Sequence, residues 1–465
     1  MESVDVVVMA AGKGTRMKSS MPKVLHRVGG RALLQHVLRT AGLIQARQIV
    51  VITGHYAEQV EASLHGLPSV QCVRQMPQLG TGHAMQQAMP VLSDDGVTLI
   101  LSGDVPLTQV DTLQALLHLC DAKQMALLTL QTAEPTGYGR VVRNTQGQVQ
   151  AIVEEKDATP AQRQITEIYS GIMAVPTRLL RNWLARLDNQ NAQNEYYLTD
   201  VVKFAVADGS PVVTHAIDQA WQVEGVNNPL QLAALERAYQ HLLAHRFMTE
   251  GVRLADPERF DVRGELRCGQ DVEIDVNCVF EGEVHLEDGV RIGPHCVIAN
   301  VTIGAGTIVQ AFTHIDGEQQ NVTIGRNARI GPFARLRPGT ALGNEVHIGN
   351  FVEVKNASLA QGAKANHLAY LGDATVGERV NYGAGSITAN YDGAYKHRTV
   401  IEADVHVGSN CVLVAPVTLG AGGTIGGGST ITHDTAPGAL TLTRAKQTST
   451  ANWARPVKSN KKGQS

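Results

Sequence analysis

Ile324, Ile330, Leu336, Leu342, Ile348 and Val354 recur at every sixth position, and Gly325, Gly331, Gly343 and Gly349 directly follow four of them. A helix of period 3.6 or a strand of period two does not give that spacing. A coil of short strands does, if each turns one apolar side chain into a shared interior. A second run, Ile401, Val407, Leu413, Leu419, Ile425 and Ile431, keeps the same step, and Ile303, Val309 and Ile315 precede both. The C-terminal half therefore reads as a parallel β-helix, a rigid prism whose coils are stable only when stacked on their neighbours. The small residues of the tract suit its tight corners. The hexads falter near 355–370 and again at 390–398. Polar and aromatic breaks of this kind predict loops that leave the scaffold and carry binding groups.

A chain of 465 residues exceeds one ordinary core and implies two or three domains. Its 43% hydrophobic content is that of a soluble globular protein, and 46 Gly with 4% aromatics fit a solenoid in half of it. A formal net charge of -3 offers no footprint for nucleic acid. The basic residues Arg455, Lys458, Lys461 and Lys462 read as a solvated terminus. No apolar run is long enough to span a bilayer and no charged leader precedes a signal-like core, so the expected setting is cytoplasmic, without a membrane partner. The six cysteines contain no Cys-x-x-Cys pair, which indicates neither a zinc site nor a disulfide scaffold.

In the N-terminal half, β-branched runs at 4–9, 48–53, 70–74, 97–101 and 126–130 alternate with amphipathic stretches such as 110–120. That order predicts a mainly parallel, Rossmann-like α/β sheet with ligands at the carboxyl ends of its strands. The first strand runs into Ala10-Ala11-Gly12-Lys13-Gly14-Thr15-Arg16-Met17 and then Pro22-Lys23-Val24-Leu25. Glycine lets backbone N–H groups approach an anion. The loop is neither a P-loop nor a dinucleotide fingerprint, since Met17 stands where a third glycine belongs. It is either a plain strand-to-helix turn or a polyphosphate cradle, and Arg16 with Lys23 on one connection favours the cradle.

Further strand ends add polar groups. Gln75 to Gly82 carries amides suited to a base edge. In Ser102-Gly103-Asp104 the carboxylate is either a turn cap or, beside phosphate ligands, a hard oxygen donor for Mg²⁺. Asn227, before Asn228-Pro229, is either part of a turn or a second metal ligand. Segments 135–140 and 152–156 predict a hairpin in which Gly139 admits a sugar ring and Glu154 accepts its hydroxyls, unless the hairpin is only a salt-bridged surface ribbon. Leu232, Leu235, Tyr239, Leu242, Leu243 and Phe247 have helical spacing, which makes a connecting helix that ends before Gly251. The expected divisions are 1–228, a helical linker 229–250, and 251–465.

The motif 10–17 with Pro22-Lys23-Val24 resembles the sugar-nucleotide pyrophosphorylases. Together with Gly331-Pro332-Phe333-Ala334-Arg335-Leu336-Arg337-Pro338-Gly339 and Asn390-Tyr391-Asp392-Gly393, nearly the whole chain is similar to the bifunctional bacterial N-acetylglucosamine-1-phosphate uridylyltransferase/glucosamine-1-phosphate N-acetyltransferases. The resemblance implies a left-handed β-helix that forms a homotrimer. Its prism would acetylate glucosamine-1-phosphate from acetyl-CoA, and the N-terminal domain would then join the product to the uridylyl group of UTP. It places Met9, Ala10, Ala11, Gly12, Gln75, Gly80, Thr81, Ser102 and Gly103 at the nucleotide. Lys23 and Arg16 would face phosphates, Asp104 and Asn227 would hold Mg²⁺, and Gly139, Glu154, Tyr169 and Asn227 would meet the sugar.

Nucleotidyl transfer needs alignment and charge neutralisation more than a general base, because the sugar phosphate is already nucleophilic. Acetyl transfer does need a base near neutrality, since the sugar's ammonium must lose a proton. His367 matches the family's catalytic histidine. Arg337, Lys355 and Tyr370 match grips on the sugar phosphate, and Asn381, Asn390 and Tyr391 match sugar or acyl contacts. Glu353 is expected to bind the amine or orient His367. Ala384, Ser409, Gly427 and Arg444 match acetyl-CoA contacts, with Arg444 answering phosphate charge. Two positions depart from the pattern: Tyr169 replaces the common asparagine, so a backbone or ring contact would stand in for a carboxamide, and Gly427 replaces alanine where the role is mostly steric. A pyrophosphorylase with a β-helix that only oligomerises is the alternative enzyme reading, and a non-catalytic trimerisation rod is a third.

Overall fold

Val6, Val7 and Val8 are wholly buried, so the first strand is covered on both faces. In a computed structural model, which describes residues 3–67 and 69–458, strand Val4–Ala10 lies parallel to Gln48–Thr53 on one side and Val97–Ser102 on the other. The sheet order is Val212–Ile217, Met125–Gln131, Glu167–Pro176, Val97–Ser102, Val4–Ala10, Gln48–Thr53, Val70–Arg74. Alternate residues feed two cores: Val8, Val51 and Leu99 on one face, Val7, Ile52 and Ile100 on the other. Every strand expected from the β-branched runs is present.

Two were not legible. Glu167–Pro176 is antiparallel to both neighbours, and its register shifts between Tyr169 and Met173, around a left-handed Gly171 at φ 88. That bulge interrupts the alternation a strand reading depends on. Val212–Ile217 is half-exposed and lacks a clear pattern. The expected hairpin forms from Gly139–Arg143 and Val149–Val153, and it joins the sheet through Gly139 opposite Tyr169. Helix Pro229–Thr249 covers the predicted segment, and the Asn228 side chain accepts from the Gln231 N–H at 2.9 Å to cap it. The chain divides into two compact units, Met1–Arg246 with Asp261–Gly264, and Phe247–Phe260 with Glu265–Ser465. Among the described residues no helix is long and apolar enough to cross a membrane. Arg455 and Lys458 are exposed, while Lys461 and Lys462 lie outside the described residues.

The second unit is a left-handed parallel β-helix. Ile324 pairs with Leu342, Ile330 with Ile348 and Leu336 with Val354, so three hexads close one coil of eighteen residues. One sheet of eleven strands forms one face, and a second sheet branches at Val297–Ile303 to supply the other two. The inward Ile, Leu and Val column is almost fully buried.

The repeat breaks unequally. The expected loop near 355–370 is absent. Leu342 pairs with Leu359 and Leu359 with Val376, seventeen residues apart, so each coil is one residue short and the chain stays in strands Glu353–Lys355, Ser358–Leu359 and Lys364–His367. The lost residue shifts the hexad phase without ejecting backbone. The expected loop at 390–398 does protrude, because Val376 pairs with Ile401, twenty-five residues on. A smaller insertion went unread: Ile303 pairs with Ile324, twenty-one residues on. Both insertions follow strands of the same face, His314–Asp316 and Ile387–Ala389, and so emerge at one corner.

Candidate functional site

The carboxyl ends of Val4–Ala10, Val70–Arg74 and Val97–Ser102 open on a cleft of about 370 Å³. Met9, Ala10, Ala11, Gly12, Lys23, Gln75, Gly80, Thr81, Ser102 and Asp104 line it, joined by Lys13, Gln78 and Glu195, which sequence reasoning did not single out. Gly103 sits beneath, its N–H donating to the Met9 carbonyl at 2.9 Å. The loop returns on itself at Gly14, where φ is 60 and a Cβ would lie 2.8 Å from the Lys23 Cβ. Only glycine permits that approach.

Lys23 Nζ donates to Asp104 Oδ2 at 2.5 Å and to Asn227 Oδ1 at 3.3 Å, and Arg16 Nη2 donates to the same Asn227 oxygen at 2.9 Å. Two hard oxygens thus converge on one cationic centre. Among the described residues no group of three or more His, Cys, Asp or Glu side chains is placed to hold a metal.

Glu154 accepts from the Thr199 hydroxyl at 2.9 Å. Burial raises its carboxyl above the ordinary 4.5, the Thr199 bond opposes this, and Asp200, Asp157 and Glu195 add to the rise. A Cβ at Gly139 would stand 2.7 Å from Ile152 and 3.8 Å from the Glu154 carboxylate, so the glycine keeps this side of Glu154 open. The Tyr169 ring corrects one expectation. It is 7% exposed and packed in the sheet's core, its hydroxyl unpartnered, so no ring contact faces the cleft. Burial pushes its phenol well above the ordinary range, with the Glu154 charge adding.

In the β-helix, Arg337, Lys355, Asp373 and Lys396 line a groove of about 630 Å³, walled by Glu318, Gln319 and Gln320 of the short insertion. Lys396 comes from the long insertion, where Tyr391 bridges back to it. Arg337 is the chief cause lowering the Lys355 ammonium from its ordinary range, with burial next and Lys396 after it. Asn390 and Asn356 both donate to the Asp373 carboxylate, which fixes the root of the protruding loop.

Glu353 does not reach His367. It accepts from Arg337 Nη1 at 2.8 Å and lies 3.6 Å from Arg335. The partner of His367 is Asn350, whose Oδ1 lies 2.9 Å from Nδ1, a residue that sequence reasoning missed. Tyr370 lies beside Glu353 in register, and its ring covers Gly372, where a Cβ would meet the phenol oxygen at 2.2 Å. Asn381 faces His406 at 3.4 Å on the sheet that carries Lys364–His367. The corner carbonyls of Asn350, His367, Ala384 and Ser409 each accept from the next coil, at Leu368, Gly385, Asn410 and Gly428. Asn350, His367, Ala384, Ser409 and Gly427 therefore stack in one column, and Arg444 Nη1 closes it on the Gly427 carbonyl at 2.9 Å.

The MobA-like NTP transferase domain matches residues 6–193, the six-repeat bacterial transferase hexapeptide residues 321–356, and the hexapeptide repeat of succinyl-transferase residues 398–433. The Bifunctional protein GlmU of Polaromonas naphthalenivorans is 71% identical over 98% of this chain and 98% of its own. The chain belongs to the bifunctional GlmU family. Family members from Albidiferax ferrireducens, at 67% over 98% of this chain and all of their own, and from Polaromonas sp. strain JS666, at 69% over 98% and 99%, agree. Membership covers both units, so neither half is an appendage peculiar to this chain.

The signals for the missed residues differ. Lys396 lay in a stretch already read as a loop, and the insertion at 316–321 was visible as the nine-residue step from Ile315 to Ile324. Asn350 carries no local sequence signal, because only coil stacking puts it beside His367.

Proposed function

We propose that each unit carries one of two consecutive reactions, acetyl transfer at the β-helix and uridylyl transfer at the α/β cleft. The chain is a bifunctional nucleotidyltransferase and acetyltransferase of UDP-N-acetylglucosamine synthesis.

For acetyl transfer, the observation that carries the reading is the corner column. His367, Ala384, Ser409 and Gly427 came from separate stretches of sequence and lie in one line. Acetyl-CoA laid along that edge, its phosphate charge near Arg444, has its thioester at His367. Asn350 Oδ1 is an acceptor, so Nδ1 bears the hydrogen and Nε2 is left as the base. Nε2 takes a proton from the sugar's ammonium. The freed nitrogen then attacks the thioester carbon, and as the amide bond forms the C–S bond breaks and the second proton of that nitrogen leaves with the CoA sulfur as the thiol. Arg337, Lys355 and Lys396 hold the sugar phosphate, and the mutual repulsion that lowers Lys355 is relieved by an anion.

For uridylyl transfer, an oxygen of N-acetylglucosamine-1-phosphate attacks the α-phosphorus of UTP and the bond to the β-phosphate oxygen breaks, releasing pyrophosphate. Lys23 and Arg16 offset phosphate charge, and Glu154 beside Gly139 accepts a sugar hydroxyl. The Asp104 and Asn227 oxygens already meet on one cation, a donor set that fits Mg²⁺, which keeps waters and phosphate oxygens in its shell. When bound, it would supply neutralisation of the charge on the polyphosphate.

A homotrimer is supported by an exposed ladder on the β-helix. His295, Phe312, Phe333 and Phe351 stack at 4.8, 5.0 and 5.2 Å, each at positive φ, and end at exposed Leu368 beside His367. Aromatic side chains held in the left-handed region and left in solvent suit coverage by a second copy. The test is an assay of the intact chain with glucosamine-1-phosphate, acetyl-CoA, UTP and Mg²⁺. Consecutive formation of both products is expected, and uridylyl transfer without acetylation at any acetyl-CoA level would overturn it.

A further inference from the structure

Both ring nitrogens of His83 face a glutamine side-chain nitrogen, yet the residue has no part in the chemistry above. It lies on helix Thr81–Ala88 at the cleft edge, with Nδ1 3.2 Å from Gln75 Nε2 and Nε2 3.2 Å from Gln87 Nε2. Gln75 is 3% exposed and lines the cleft. Its Nε2 also donates to the Gly80 carbonyl at 2.9 Å. A carboxamide nitrogen has two hydrogens and no acceptor capacity. Both hydrogens are therefore spent, one on Gly80 and one on His83. A neutral imidazole accepts at one nitrogen only, and the Gly80 bond fixes the Gln75 nitrogen towards Nδ1, so the ring accepts there, while Gln87 Nε2 has the His83 carbonyl at 3.4 Å as its acceptor.

We propose that His83 is a specificity-determining positioning residue, locking the Gln75 carboxamide so that only its oxygen faces the nucleobase. This rests on the reading that Gln75 meets the base. A fixed acceptor complements the N3–H of uracil, whereas cytosine offers a bare N3 lone pair at that position. Gly80 alone holds the amide by one bond, about which it swings and presents either end. With the His83 bond added, the orientation is closed and the wrong base leaves buried polar groups unpaired, the arrangement that discriminates most strongly.

The test is the ratio of kcat/KM for UTP to that for CTP in the full chain with N-acetylglucosamine-1-phosphate. His83→Leu keeps bulk but loses the acceptor, and the ratio is expected to fall about tenfold, mostly through KM. His83→Asn restores an acceptor near Nδ1 and is expected to keep the ratio within about twofold. A ratio unchanged in His83→Leu but lowered in Gln75→Ala overturns the His83 role alone. A ratio unchanged in both overturns the reading that Gln75 meets the base. Equal losses in His83→Leu and His83→Asn would make the residue structural and overturn the proposal.

Discussion

Asn350 Oδ1 lies 2.9 Å from His367 Nδ1, across two adjacent coils of the β-helix. The bond leaves Nε2 as the free lone pair and holds the ring at the corner where Ala384 and Ser409 follow. Asn350→Ala is expected to lower kcat for acetyl transfer about tenfold, with the uridylyl reaction unchanged. Asn350→Asp keeps an acceptor for Nδ1 and is expected to retain more acetyl transfer than Asn350→Ala. Steady-state assays of the two reactions check both.

His367→Ala is expected to remove the base and lower acetyl transfer by about 10²–10⁴-fold while uridylyl transfer persists. Asp104→Ala is expected to do the reverse. Separate assays of the two reactions decide it, and equal damage to both from either change would deny the division of labour.

Lys396→Ala removes one of three cations at the groove and is expected to raise KM for glucosamine-1-phosphate about tenfold, or about 1.4 kcal/mol, with kcat nearly unchanged. The remaining repulsion on Lys355 also falls, since Lys396 contributes to it. Steady-state kinetics with varied sugar phosphate measure the effect.

The Glu154 carboxyl is raised by burial, so between its ordinary 4.5 and its folded value the native state holds more proton than the unfolded one. Stability from this group therefore declines as pH rises through that window. Glu154→Gln stays neutral at every pH, and its Tm relative to the parent is expected to grow from pH 4 to pH 7. Thermal scans at several pH values test the sign.

Leu336 is wholly buried between Ile315 and Val354 of adjacent coils. Leu336→Ala is expected to destabilise the β-helix by about 2–5 kcal/mol. Chemical unfolding of the full chain followed by circular dichroism measures the loss.

The sequence by itself determined the repeat and most of the first sheet. The hexad of Ile324 through Val354 states the coil period, and Val4–Ala10 states a strand buried on both faces, because apolar periodicity is a local property of the chain. It also gave most of the cleft lining, since Ala10 to Lys23 and Ser102 to Asp104 follow directly from strand ends. Tertiary structure alone decided what stands opposite what. Lys23 meets Asn227, Asn350 meets His367, and Glu353 is held by Arg337 rather than by His367. It also decided that the phase slip near 355–370 shortens a coil while the one at 390–398 makes a loop. Hydrogen bonds and charge pairing act over a few ångströms in space, between residues that the sequence separates by a coil or by most of a domain, so no local pattern encodes them.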